Sequence, residues 1–572
     1  MEGKKLSVTN NPKVSSLFRL ASIIVSVIII ASAAKLIRFR IDLTEDHRFT
    51  LSQPTREILG SLPNDIFIQV YLDGDMPVPL KRLRRSVMEM LEEFRIASEH
   101  KVDFKFINPS EDNNEQKRNS IYESLIKKGL APINIQAAEE EGGSTQKIIF
   151  PGMIVNYNGI EVPVNFLKNN PALPYEENIL HSAEALEYEI IQTISTLAAD
   201  TVYRIAFIEG HDEFPEISTA DITYNLAKFF TIDRGTIGGR PGSLDNYAAV
   251  VVAGPEQEFS EPDKFVLDQY LMNGGKILWL LEEVHVNKDS LAGTGETVAL
   301  YRTLNLEDQL FRYGARINPV IIQDLDCQQI RLKLAGSDGR QQYVPVHWIY
   351  NPLLTPDASH PVTRNINKVK GEFTGYIDTV GLDPSVKKHI LLTTSPYTRK
   401  LSPPAVIALR EAEYFPDEKE FSNSFLPVSV LYEGVFQSAF RNRMVSSIIE
   451  GYKGPVKTES TKTKMIVVAD GDIIRNEIRR NGPEEIPVTL GLDSYNGITY
   501  GNRDFLINCM NYLVDDRGIM ELRSRELKIR LLDRNKIREQ KLKWQLINVA
   551  GPVILVIFCG LIFNFFRKRN YS

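Results

Sequence analysis

Cysteine is scarce in this chain: three in 572 residues, at Cys327, Cys509 and Cys559, with no CxxC pair and no Cys/His spacing. A disulfide framework and a cysteine-ligated zinc site are thereby excluded, since both need thiols grouped at short intervals. No GxxxxGK[ST] string occurs, so there is no P-loop whose amides and lysine would cradle a nucleotide phosphate; ATP hydrolysis must reside elsewhere. A GxSxG nucleophile elbow is also missing. Basic excess is lacking too. With 67 Lys and Arg against 73 Asp and Glu, the net charge of -6 offers nucleic acid no electrostatic footprint. Long disordered tracts are excluded by 43% hydrophobic and 24% charged residues, the balance of folded protein.

Long apolar runs are present at both ends. Leu17 to Ile37 reads LFRLASIIVSVIIIASAAKLI, charged only at Arg19 and Lys35, which lie close enough to its ends to snorkel. Leu546 to Phe566 reads LINVAGPVILVIFCGLIFNFF and as a helix is about 31 Å long, the thickness of a bilayer's hydrocarbon. Both are expected to be transmembrane helices, 17–37 and 546–566. A cleaved signal peptide is the other reading of the first run, because Lys4, Lys5 and Lys13 precede it and Ala31-Ser32-Ala33 fits a cleavage site. Two spans leave cytoplasmic tails at 1–16 and 567–572. The basic residues beside the spans, Lys35, Arg38, Arg40 and those from Lys528 to Lys543, would by the positive-inside rule hold the middle in the cytoplasm. Long domains cross largely regardless of flanking charge, and a periplasmic middle is the expectation kept.

The middle reads as α/β throughout. A helix from Gln53, a strand at IFIQVYL (Ile66 to Leu72), a helix with Leu80, Leu83, Val87, Met90, Leu91 and Phe94 on one face, and a strand at VDFKFI (Val102 to Ile107) make a βαβ unit with a thioredoxin-like layout. Asp73 to Pro79 stands at the turn where a redox thiol would sit, so the unit is a scaffold without that chemistry. The acidic loop Glu139 to Gly143, a hairpin at Asn158-Gly159 and one long helix with an apolar stripe from Ile179 to Leu197 complete 51–200. Residues 201–320 carry RIAFIE, AAVVVAG and KILWLL in alternation with helical segments, the pattern of a flavodoxin-like or amidotransferase-like doubly wound sheet. Residues 321–516 form a further α/β region, either separate or completing the preceding domain. A charged helical stalk is expected at 517–545, its basic face suited to lipid headgroups.

Chemistry is thinly represented. Gly293 to Thr297 is rich in glycine but lacks the P-loop lysine, and reads as a flexible loop. Only Gly210-His211-Asp212-Glu213 places an imidazole and carboxylates after a buried strand, at the sheet edge where doubly wound folds bind ligands. Those four residues are the candidate binding loop. The structural alternative is a glycine turn with a capping carboxylate and a histidine contacting a neighbouring loop. No catalytic residue, metal site or cofactor is expected.

In order along the chain, IDLTEDHRFTLS (41–52), FIEGHDE (207–213), VVVAGP (250–255), YLMNGGKILWLLE (270–282), LYEGVFQSAFRNR (431–443) and YGNRDFLIN (500–508) resemble the gliding-motility-associated ABC transporter auxiliary proteins (GldG) of the Bacteroidetes. The resemblance covers nearly the whole chain. It implies an inner-membrane protein with periplasmic domains, working with a separate ATPase subunit and a permease subunit; members are often described as substrate-binding components. It implies no catalytic residue and leaves any small-molecule ligand unassigned. One departure is Asp212, where the family pattern has glycine. A non-enzymatic transport accessory is the leading expectation, with a substrate-binding component and an enzyme on an amidotransferase-like sheet as rivals.

Overall fold

The computed structural model describes residues 21–26, 29, 50–138, 144–167, 174–199, 202–335, 341–381, 384–414, 416–449, 452, 454–524 and 534–571. Ser52 starts the first helix by accepting the Thr55 amide at 3.2 Å, with Pro54 in the first turn. That helix, α1 (Gln53–Gly60), precedes β1 (Ile66–Val70), α2 (Val78–Ala97) and β2 (Val102–Phe106). Leu80, Leu83, Val87, Leu91 and Phe94 form the buried face of α2. β1 and β2 run parallel. An antiparallel hairpin, β3 (Gly152–Tyr157) and β4 (Ile160–Asn165), joins the other side of β1 to give the order β2-β1-β3-β4. Its turn has φ of 51° at Asn158 and 86° at Gly159, as the Asn-Gly pair predicts. The acidic loop 139–143 lies outside the described residues.

The stripe from Ile179 to Leu197 is not one helix but two, α3 (Tyr175–Glu184) and α4 (Leu186–Leu197), separated at Ala185. Beside the break Glu187 turns inward. Its Oε1 accepts Ser52 N and Thr55 Oγ1, both at 2.8 Å, tying α4 to the start of α1. A polar side chain inside an apolar stripe needs such partners, and the periodicity gave no sign of them.

A ten-stranded sheet organises the rest. It begins with β5 (Arg204–Glu209), α5 (Ala220–Leu226), β6 (Thr231–Thr236), β7 (Ala249–Ala253), α6 (Glu261–Met272) and β8 (Ile277–Leu280). It continues with β9 (Cys327–Ala335), β10 (Gln341–Pro356), β11 (Val386–Thr393), β12 (Pro427–Gly434), β13 (Thr463–Val468) and the covering helix α7 (Asn502–Val514), and its tenth strand is the short Val369–Lys370, paired with β10. Five strands are parallel in the spatial order β6-β5-β7-β8-β13, which by chain position is 2-1-3-4-5. β12, β11, β10 and β9 extend the sheet antiparallel from β13. Strands from 321–516 thus belong to the same sheet as those of 201–320. AVVVA and ILWL are wholly buried, since helices cover both faces: α5 and α7 pack on one, α6 on the other. Edge strand β6, TIDRGT, is half exposed and has no apolar run to betray it. Cys509, on α7, is fully buried under the sheet.

Gly293 to Thr297 is ordered, contrary to the expected flexible loop. A helix over Lys288–Thr294 stops at Gly295, whose φ of 82° is the left-handed stop glycine permits, and a strand follows at Glu296–Tyr301.

Residues 526–572 form a separate compact unit containing α8 (Arg534–Tyr571). Within it Gln540–Phe566, with mean hydropathy 2.6, is long and apolar enough to cross a membrane. The first expected span, 17–37, lies outside the described residues apart from helical 21–26 and 29, and residues 525–533 of the expected stalk also lie outside them. Ile519–Ser524 of that stalk form a short 3-10 helix.

Candidate functional site at the carboxyl edge of the parallel sheet

In the order 2-1-3-4-5 the connections change direction between β5 and β7, and the loops leaving the carboxyl ends of the strands frame the crevice such sheets use for ligands. Gly210 to Glu213 leave β5, Gly254 to Glu256 leave β7, Glu282 and Glu283 follow β8, and Asp470 to Asp472 follow β13.

The candidate binding loop is held mainly by its own side chains. Gly210 has φ of 116°, and Asp212 has φ of 54°, the left-handed region in which aspartate is tolerated and glycine is at ease. A glycine at position 212 would satisfy the same turn geometry. The Asp212 carboxylate accepts the Gln257 side-chain amide. His211 is buried and stacked on Phe259, ring centroids 3.6 Å apart. Its Nδ1 lies 3.0 Å from Glu213 Oε1 and its Nε2 3.4 Å from Asp263 Oδ2. The His211 amide donates to Glu213 Oε2 at 2.7 Å, and its carbonyl accepts the Glu256 and Gln257 amides at 2.8 and 2.9 Å. Burial alone would lower the His211 pKa, but the hydrogen bonds to Asp263 and Glu213 raise it to about 9. A doubly bonded imidazolium has no lone pair for a metal and no vacancy for a proton. The loop's side chains thus join β5, the β7 exit and the start of α6.

A raised histidine pKa makes stability pH-dependent. The stabilisation is complete below the unfolded value near 6.5 and is lost as pH rises through about 9. We expect unfolding free energy to fall by about 3 kcal/mol across that interval, at about 1.4 kcal/mol per pKa unit, and this fall to be missing in His211→Gln. Denaturant titrations at pH 6.5 and 9.5 check it; equal slopes with pH in both proteins would refute it.

Next to this loop is a cavity of about 210 Å³ lined by Phe214, Glu256, Glu282, Lys288, Arg302 and Asp472, among others. Gly254 lets Phe214 of the lining pack closely on the β7 exit: φ is 61°, and a Cβ there would stand 2.4 Å from the Phe214 ring. His285, its pKa lowered by burial and by Arg302, accepts from Arg302 Nη2 at 2.5 Å. One carboxylate oxygen each of Glu282, Asp470 and Asp472 lies within 4.8 Å of the others. Asp470 is fixed by Thr374 Oγ1 at 2.6 Å and by the amides of Glu372 and Asp472, both at 2.9 Å. Lys288 Nζ stands 2.5 Å from Asp472 and 3.1 Å from Glu372. Burial, and then the neighbouring Asp472, push the Asp470 carboxyl up to about 7, and the same causes raise Glu282. Burial would raise Asp472 as well, but the Lys288 ammonium outweighs it and holds that pKa down.

None of this cluster was singled out by sequence, because Glu282 and Asp472 are far apart in the chain. A usable signal was there: KILWLLEE and MIVVADGD each end an apolar strand in acids, at the edge where doubly wound sheets place ligand groups. Of the other distinctive segments, 431–443 and 500–508 brace the fold, while residues 41–49 lie outside the described residues. Arg443 bridges Glu261 and Asp308, both at 2.6 Å, over buried Lys264. Asn502 donates to the carbonyls of Lys370 at 2.8 Å and Ile473 at 3.2 Å, bracing the loop that carries Asp472. A larger cavity of about 470 Å³ opens at the carboxyl ends of β1 and β2, where a redox thiol was sought. Two of its acids are already paired, Asp73 with Arg84 at 2.9 Å and Asp75 with Lys147 at 2.6 Å.

Residues 203–509, which contain the whole carboxyl edge, match the family described as an ABC-type uncharacterized transport system, an auxiliary component. Residues 45–156 match a domain of unknown function. An uncharacterized protein of Borreliella burgdorferi (strain ATCC 35210) is 22% identical over 548 residues, covering 93% of this chain and 94% of that one. Among solved structures, the mmIFT52 N-terminal domain aligns with 55% of this chain and 98% of its own length, at 14% identity and a TM-score of 0.32.

Proposed function

The chain belongs to the family of auxiliary proteins described as an ABC-type uncharacterized transport system, and from that premise we propose that it is a non-enzymatic, membrane-anchored accessory that docks on the permease and couples it to the periplasmic side. The family match across 203–509 carries this reading. The helix Gln540–Phe566 supports anchoring, and the missing P-loop leaves hydrolysis to a separate ATPase subunit. A link to gliding motility rests on the GldG-like segments. In this account the N-terminal unit is a thioredoxin-like scaffold and the larger sheet a flavodoxin-like one, both used for contact. The candidate loop Gly210, His211, Asp212 and Glu213 serves binding indirectly, by fixing the walls of the adjacent cavity. That cavity favours a second reading, a periplasmic substrate-binding component.

Sidedness tests the docking role. A single reporter cysteine at Asn158, in a chain whose own exposed thiol is replaced by Cys559→Ser, should react with a membrane-impermeant reagent once the outer membrane is permeabilised. Protection until the inner membrane is lysed, with full labelling afterwards, would make the chain a cytoplasmic scaffold. Thermal unfolding separates the two readings, since a substrate-binding component gains stability with its ligand and a docking protein does not.

A further inference from the structure

We propose that Glu282, Asp470 and Asp472 form a binding site for a divalent, oxygen-preferring metal cation of the calcium or magnesium class at the carboxyl edge of the parallel sheet. The inference stands apart from the transport role. Three carboxylate oxygens already converge within 4.8 Å of one another. Oxygens bound to one calcium can stand up to about 4.6–5.2 Å apart, from bonds of about 2.3–2.6 Å, so this spacing is within a single ion's reach after shifts of a few tenths of an ångström at most.

A second observation points to a missing ligand. Glu282 Oε1 is shut off from solvent and has no hydrogen-bond partner, although buried carboxylate oxygens ordinarily find donors. It faces the turn at Gly471, where a Cβ would lie 3.5 Å from Oε1 and 3.0 Å from the Gly254 Cα. Two glycine backbones meeting there leave room for the carboxylate to approach the turn.

The surroundings fit a cation as well. Asp470 is held by three donors and needs no reorganisation to serve as a ligand. Lys288 is shared between Asp472 and Glu372, and Arg475 lies 3.3 Å from Asp472, so the built-in positive charge is gathered at one end of the cluster. Glu282 and Asp470 are left facing each other and Asp472, where a cation would neutralise the repulsion of three converging carboxylates. Glu282, Lys288 and Asp472 line the 210 Å³ cavity, which gives an ion its route in and leaves space for water or an anionic ligand to complete the coordination.

The test uses the full chain, purified in detergent, stripped with EDTA and titrated with CaCl₂ and separately with MgCl₂, read by calorimetry and by thermal unfolding. Wild type should bind one ion per chain, with a rise in melting temperature. Glu282→Gln should weaken binding by at least about ten-fold, while Glu256→Gln, on the cavity wall but outside the cluster, should not change it. Lys288→Met keeps all three ligands and removes the competing ammonium, so it should tighten binding several-fold, a result a merely structural lysine would not give. No binding of either ion at up to roughly 10 mM, beyond the weakest range of calcium modules, would overturn the proposal. So would wild-type affinity in Glu282→Gln or weaker binding in Lys288→Met.

Discussion

Replacing Gly434 by alanine is expected to cost about 3–5 kcal/mol, enough to consume much of the stability of an ordinary domain. Gly434 ends β12 inside the segment LYEGVFQSAFRNR, with φ of 148°, a region almost closed to residues with a Cβ. A Cβ there would lie 1.9 Å from the Ser385 carbonyl oxygen and 3.0 Å from the Val386 Cα. Those atoms are backbone, at the start of the paired strand β11, so no side chain can swing aside. Relief requires β11 and β12 to part in the middle of the ten-stranded sheet. Gly60→Ala is the control: it lies at the end of α1 with nothing within 4 Å of an added Cβ, and should leave stability unchanged or raise it slightly. Denaturant unfolding of both variants decides the matter. Equal stabilities would mean that the sheet pairing at Gly434 is wrong.

Asp268→Ala should destabilise by a similar amount, about 3–5 kcal/mol, through polar groups left behind instead of crowding. Asp268 is fully buried in α6 and accepts Tyr313 Oη at 2.8 Å, Ser438 Oγ at 2.7 Å and the Ala439 amide at 2.8 Å. Truncation strands three donors in a dry interior. Ser438→Ala removes a single donor and should cost about 1 kcal/mol, so the ratio of the two losses, read from denaturant midpoints, is the test. If both variants lose the same small amount, water has taken over the carboxylate's bonds and the network is not what anchors the 431–443 segment.

These two positions show what a sequence can and cannot disclose. AVVVA, ILWL and the α2 stripe were legible because burial on two faces, or on one face at helical spacing, leaves its period in the apolar residues. β6 was illegible for the opposite reason: TIDRGT is an edge strand whose polar residues face water and loops. The long hairpin β9–β10 was missed because Gln341–Pro356 carries three prolines, which ordinarily argue against a strand, and its pairing rests on backbone bonds that no side-chain period records. At the site, the His211 loop was found from its place after an apolar strand. Its charges prove to be partnered by Asp263, a residue of α6 that no local pattern ties to it. The acids that converge at the same edge were passed over, since Glu282 and Asp472 meet only once β8 and β13 lie side by side. Strand order is a property of the whole sheet.

Membership of an ABC transport complex is tested most directly by affinity purification of the intact chain from its native membranes in mild detergent. The account predicts that a separate ATPase subunit and a multi-span permease come with it in fixed proportion, and that they are lost when the helix Gln540–Phe566 is removed. Recovery of the intact, membrane-extracted chain without either subunit, under conditions in which those two remain associated with each other, would contradict it.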